Sequence, residues 1–209
     1  ILGPSGCGKS TILNLIAGLD LHSSGDISTG GARIGFVFQQ PRLLNWRTVA
    51  ENVTLPLEQQ RLERNARKTL AQKYLKLVGL NGHENYYPLQ LSRGMQQRVA
   101  IARALAIDPD VLLMDEPFSG LDEMTARNLR QELLRIWQET GKTILFVTHS
   151  IREAVFLSQQ ILIVSNKPAT IFKRVTVPLS YPREYDDVRL FEIETSLTTD
   201  FLGMDRAGK

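Results

Sequence analysis

The sequence predicts an α/β fold: a mainly parallel sheet flanked by helices, with a helical insertion between two of its strands. Three observations carry that expectation. Short apolar runs, such as Val111-Leu112-Leu113-Met114 and Thr143-Ile144-Leu145-Phe146-Val147, alternate along the chain with amphipathic stretches of helical period. From about residue 42 to 105 the pattern is mostly helical and lies between two such runs. Near the first residue, Ile1-Leu2 has the character of a buried strand's tail, and Gly3-Pro4-Ser5-Gly6-Cys7-Gly8-Lys9-Ser10-Thr11 follows it, fitting G-x-x-x-x-G-K-[ST].

That loop is followed by a helical segment from Ser10 to Ala17, apolar at Ile12, Leu13, Leu15 and Ile16. Glycines let backbone N–H groups curl around a phosphate chain, and a helix N-terminus adds a favourable dipole. Lys9 is then placed to reach terminal phosphates, and the Ser10 hydroxyl to hold Mg²⁺. A glycine-rich turn before an ordinary core helix would share the pattern, but the strand–loop–helix setting favours a nucleotide site. Cys7 occupies a small-residue position in the loop and needs no redox role.

Beyond the loop, Gly18 to Gly25 is rich in turn formers. Asp26 to Thr29, a Gly30-Gly31 turn and Ala32 to Phe38 suggest a hairpin whose second arm, Ile34 to Phe38, is buried. From Thr48 to Val78 the pattern turns helical, with Leu62, Ala66, Leu70, Tyr74 and Val78 at every fourth residue and Gly79 as its stop. Ser92 starts a helix that runs to about Ala106, and Asp108-Pro109-Asp110 closes it. After the Val111 run, a helix near Met124 to Thr140 buries Leu129, Leu133 and Ile136 and stops at Gly141. The Thr143 run, a helix through Leu157, strands at Ile161 to Val164 and Ile171 to Val177, and a helical tail from Asp187 to Leu202 complete the order.

Bulk properties bound the function classes. The chain has 209 residues, enough for one domain with a sizeable core, and a net charge of +3 from 25 basic and 22 acidic residues. The signs are interspersed, without a basic block or basic–aromatic array, so a nucleic-acid face has no support. The single cysteine excludes an internal disulfide framework. No apolar run reaches the roughly 18–20 residues that span a bilayer. The sequence opens without a Met inside a strand, from which we expect an N-terminally truncated chain.

Other groups complete the loop's chemistry. Asp115-Glu116 closes an apolar strand, at the edge where α/β sheets bind ligands. Asp115 is suited to hold Mg²⁺ and Glu116 to polarise an attacking water; a solvated acid pair at a strand end is the plain alternative. His149 follows the Thr143 run in the same way, suited to contact a γ-phosphate or align a water. His22 and His83 fit no metal-ligand spacing. Ser92-Arg93-Gly94 at a helix start offers a second anion site; a simple helix cap is its plain reading.

Together these residues resemble the ATP-binding subunit of an ABC transporter. Gly3 to Thr11 matches the Walker A loop and Gln39 the Q-loop glutamine. Leu91-Ser92-Arg93-Gly94-Met95 matches the signature motif, Val111 to Glu116 Walker B, Ser119-Gly120-Leu121-Asp122 the D-loop, and His149 the switch histidine. Arg93 replaces one residue of the usual Gly-Gly pair and Met95 the usual Gln. Pro41-Arg42-Leu43-Leu44-Asn45-Trp46 to Val53 and Ser92 to Leu105 are similar to the nitrate, sulfonate and taurine importer branch.

The resemblance implies a P-loop NTPase core with a mainly parallel sheet and an inserted helical subdomain at about 42–105. It implies one ATP-binding domain over 1–209 with a C-terminal tail at 178–209. ATP and Mg²⁺ are the implied ligands. Glu116, His149 and Gln39 would be catalytic, and Ser10, Gln39 and Asp115 would hold the metal. Gly3 to Thr11 with Ser92, Gly94 and Asp122 would bind nucleotide, Ser92 and Gly94 across a head-to-tail pair of chains. The family's adenine-stacking aromatic residue would lie before the first residue. A membrane permease, and through it a solute-binding protein, are the implied partners at the cytoplasmic face of the inner membrane. A soluble ATPase acting on DNA or ribosomes, a non-hydrolysing regulatory subunit and, less well, a P-loop kinase are the rival readings.

Overall fold

The computed structural model describes residues 1–60 and 62–207. The chain forms two compact units, one of Ile1–Asn14 with the chain from Val147 on, the other of Leu15–Phe146.

In the first unit, Leu2 is the pivot. It bridges Thr148 on one side and Ile163 on the other, both in parallel. Its N–H donates to Leu162 O and its carbonyl accepts from Val164 N, each at 2.8 Å. Strand β4 (Gln160–Val164) continues into an antiparallel pair with β5 (Ile171–Thr176). Helix α6 (Ile151–Leu157) buries Ala154, Val155, Phe156 and Leu157, and α7 (Val188–Ala207) buries Leu190 and Leu197. The helical tail expected from Asp187 is therefore present, and it continues to Ala207. Tyr185 stacks on Phe156 at 4.0 Å between ring centroids. Helix α1 (Lys9–Ile16) starts in this unit with Leu13 fully buried.

In the second unit, a three-stranded sheet has the order β1 (Ile34–Val37), β2 (Val111–Asp115), β3 (Thr143–Val147). Strands β1 and β2 run parallel, with Val37 opposite Met114. The expected hairpin does not form. Residues 26–29 are exposed and outside any strand, and β1 pairs with β2 instead. The would-be first arm offers one large apolar side chain, Ile27, against the four-residue register that β2 supplies.

The helices α2 (Val49–Thr54), α3 (Arg64–Leu77) and α4 (Arg93–Leu105) fall between β1 and β2, and α5 (Glu123–Thr140) follows β2. The helical pattern from Thr48 is interrupted by a 3₁₀ segment, Leu55–Gln60, where Pro56 supplies no N–H for an α-helical ladder. Nor does the every-fourth-residue stripe of α3 all face inward. A spacing of four overshoots a 3.6-residue turn by about 40° per step. Ala66 is accordingly exposed, and the buried set is Ala71, Tyr74, Leu75 and, just past the helix, Val78. Among the described residues, no helix is long and apolar enough to cross a membrane.

Candidate nucleotide site

The first unit holds the phosphate-loop residues and His149. Gly6 and Gly8 have φ of +76° and +111°, backbone that side chains rarely adopt, so the loop's curl depends on glycine there. Gly3 is needed for a different reason: a Cβ there would come within 2.5 Å of Val164 Cγ2. Lys9 is 4% exposed and donates through Nζ to the carbonyls of Gly3 and Pro4, both at 2.9 Å. The ammonium is thus held inside the curve of its own loop, a positive charge beside the glycine backbone. Ser5, Gly6, Ser10 and Thr11 are exposed, Pro4 and Gly8 half-buried and Cys7 buried.

His149 is exposed directly after buried Thr148. Gly3 N donates to Thr148 O at 3.3 Å, which puts the loop's first residue beside the histidine's neighbour. Around it the start of α6 is fixed: Ser150 accepts from Glu153 N, and Thr148 Oγ1 donates to Glu153 Oε2 at 2.5 Å.

The second unit brings together Gln39, Asp115 and Glu116. Gln39 lies two residues past β1, and Asp115 ends β2. Gln39 Nε2 donates to Glu116 Oε2 and to Ser119 Oγ, each at 3.4 Å. Glu116 has φ of +40°, left-handed backbone for a non-glycine residue. Such a conformation costs on the order of 1–3 kcal/mol and turns the chain sharply at the strand's end. The turn that begins at Glu116 is closed by Ser119 N donating to Glu116 O at 3.1 Å.

Ser92 is the exposed N-cap of α4, its Oγ accepting from Met95 N at 3.3 Å. Gly94, by contrast, is buried, and a Cβ on it would fall 2.5 Å from Thr125 Cγ2 of α5. Arg93 turns toward the segment after Glu116, with Nη1 3.5 Å from Gly120 O. Asp122 caps α5, accepting from Thr125 N at 3.0 Å, and that backbone donor holds its carboxyl below the usual aspartate range. Sequence reasoning missed Asn52 and Arg103. Asn52 is fully buried, accepts from Leu44 N and donates to the carbonyls of Leu44, Arg47 and Thr48, shaping the segment after Gln39. Its signal was a polar residue between Val49 and Val53 on the inward face of a short helix.

Among the described residues no cluster of three His, Cys, Asp or Glu side chains could hold a metal by itself.

A glycine-rich loop curled around Lys9, a strand ending in Asp115 and a helix capped by Ser92 are, in that composition, the parts of an ATP-binding cassette. Residues 1–119 match the family described as ABC transporter. The chain is 44% identical over 208 residues to the aliphatic sulfonates import ATP-binding protein SsuB of Bacillus anthracis, covering 96% of this chain and 82% of that protein. It is 46% identical over 192 residues to the taurine import ATP-binding protein TauB of Escherichia coli (strain K12), covering 88% and 74%. An uncharacterized ABC transporter ATP-binding protein of Methanocaldococcus jannaschii is 48% identical over 199 residues, covering 92% and 74%. A solved ATP-binding cassette, described as dimeric, post-hydrolysis and bound to ADP and Pi, aligns with a TM-score of 0.73 and 36% identity over 86% of this chain and 84% of that one. The chain belongs to the ABC transporter family, as one of its ATP-binding ATPase subunits.

Proposed function

We propose that this chain hydrolyses ATP to drive an importer of sulfonate- or taurine-like anions, with nitrate the third solute of the branch its sequence resembles. The observation that carries the mechanism is the Gln39–Glu116 pair at the ends of β1 and β2. A carboxylate on a sharp turn, with an amide donor 3.4 Å away, can align and polarise a water for attack on a phosphoryl group. We assign Glu116 that part, with His149 and Gln39 positioning water and γ-phosphate.

Gly3 to Thr11 grip the phosphates, Lys9 leaving its loop carbonyls for the terminal ones. Ser10, Asp115 and Gln39 would hold Mg²⁺, which would supply positive charge beside the phosphate oxygens. Transfer of this kind rests on positioning and charge, and these groups provide both. Ser92 and Gly94 face the nucleotide of a second copy paired head to tail, and Asp122 is a further nucleotide-binding residue. Gly94 meets that role through its backbone, because the space a side chain would fill belongs to Thr125.

The chain forms one ATP-binding domain, with residues 42–105 as its helical subdomain and 178–209 as its C-terminal tail. The permease meets the segment from Gln39 to Val53, where Trp46 is 75% exposed. The subunit sits peripherally at the cytoplasmic face of the inner membrane, and a solute-binding protein delivers the anion from the other side. Support for the importer reading comes from the SsuB and TauB relatives; the nucleic-acid, regulatory and kinase alternatives have no comparable support.

Glu116→Gln tests the chemistry: ATP binding should stay native while turnover falls at least 100-fold. Native turnover in that variant sinks the assignment. Growth of a deletion strain on sulfonates, taurine or nitrate as sole source tests the solute.

A further inference from the structure

Arg103 stands at the last turn of α4, the helix that begins at the signature segment, and it reaches back to the loop that carries Gln39. Its Nη2 donates to Pro41 O at 2.6 Å and its Nη1 to Arg42 O at 2.9 Å. Those carbonyls lie two and three residues beyond Gln39. The guanidinium is partly withdrawn from water, and burial pulls its pKa below the usual arginine value. Among the described residues it makes no ion pair that would repay this, so its fork serves the two carbonyls. Arg42, in turn, is held at φ of +46°, with its guanidinium carbon 4.3 Å over the Phe38 ring. Phe38 and Pro41–Arg42 therefore bracket Gln39 from both sides, and Arg103 ties the outer bracket to α4.

We infer that Arg103 is a positioning residue for ATP hydrolysis: by clamping Pro41 and Arg42 it sets Gln39 against Glu116 and couples that glutamine rigidly to the signature helix. Two bonds from one planar fork fix direction as well as distance, which a point charge on a flexible stem does not. A thirteen-residue helix is stiff enough to carry a displacement from Ser92 to Arg103 without slack. The inference rests on the reading of Gln39 given above.

The test is a double-mutant cycle on the purified full chain, read as kcat, ATP KM and melting temperature. Arg103→Met should lower kcat about 10-fold with KM unchanged, the size expected when a positioned group drifts by a fraction of an ångström. Arg103→Lys, which keeps the charge and loses the fork, should fall between. In a Gln39→Ala background, Arg103→Met should add no further loss, because its effect runs through the glutamine. Multiplied losses in the double variant overturn the proposal, as does native kcat in Arg103→Met. Should Arg103→Met melt well below the native protein, the same cycle is read with Arg103→Lys, and native kcat or multiplied losses there overturn it equally. Native turnover in Gln39→Ala overturns the reading of Gln39 as well; impaired Gln39→Ala with multiplied losses overturns the clamp alone.

Discussion

Gly94 belongs to a motif whose glycines are read as phosphate contacts, yet its missing side chain is first a packing requirement. A methyl group there meets Thr125 Cγ2 at 2.5 Å, so α4 and α5 could not keep their approach. Gly94→Ala should destabilise the protein by about 1–3 kcal/mol, the range for overpacking a tight contact. Thr125→Ala removes the obstructing methyl, and the double variant should regain most of the lost denaturation midpoint. Turnover separates the two roles: if the backbone of Gly94 also approaches a partner's phosphate, the stable double variant stays impaired. A Gly94→Ala protein with a native midpoint would refute the packing argument. Arg93, which replaces a glycine of the same motif, donates from Nη1 to Gly120 O at 3.5 Å.

Elements were read from the sequence with uneven success, and the failures have physical causes. The capped helix start at Ser92, the amphipathic helix near Met124 and the strands at Val111 and Thr143 were legible because caps, apolar periodicity and continuous apolar runs are local signals. The hairpin at residues 26–38 was misread because two strand-like arms around a glycine turn say nothing of a better partner some 75 residues away. Long-range polar anchors were equally silent. Arg183 is 4% exposed and gives its guanidinium to the carbonyls of Leu179, Val155, Phe156 and Ser158, pinning the chain before α7 onto the end of α6. Arg183→Met strands those acceptors and should cost roughly 3 kcal/mol by chemical denaturation, with Arg183→Lys recovering only part. A change within 0.5 kcal/mol would count against the clamp.

The ends of β1 and β3 carry a second anchor. Arg33 N donates to Asp110 Oδ2 at 2.8 Å and Lys142 Nζ to Asp108 Oδ1 at 2.6 Å. The Lys142 bond holds Asp108, and the Arg33 backbone holds Asp110, below the usual 3.8. Carboxyls depressed in the folded state add stability that is present above their unfolded value and lost as pH falls through the folded one. The melting temperature should therefore stay level near neutrality and fall from about pH 5 downward. Lys142→Met should shallow that acid limb without moving the neutral plateau much, since Lys142 is only half-buried and Asp108 is exposed. An unchanged limb would show that other carboxylates set it.

At the scale of the whole chain, the residues of the proposed site differ in how their own unit holds them. Lys9 and Gln39 are turned inward on loop carbonyls and on Glu116, whereas Ser92 stands exposed at the tip of α4. In the sequence these residues show only as motifs in order, and a capped helix start looks the same whether it meets water or phosphate. Pairing decides between them. With hydrolysis blocked by Glu116→Gln, millimolar ATP should convert the protein from monomer to dimer by sedimentation or light scattering. Adding Ser92→Glu places a carboxylate where a partner's phosphate would sit; like charges in a desolvated contact repel strongly. The double variant should remain monomeric at the same ATP concentration while binding ATP as the single variant does. A dimer that survives Ser92→Glu would mean that the exposed end of α4 is a cap and nothing more, and the head-to-tail arrangement would then have to be abandoned.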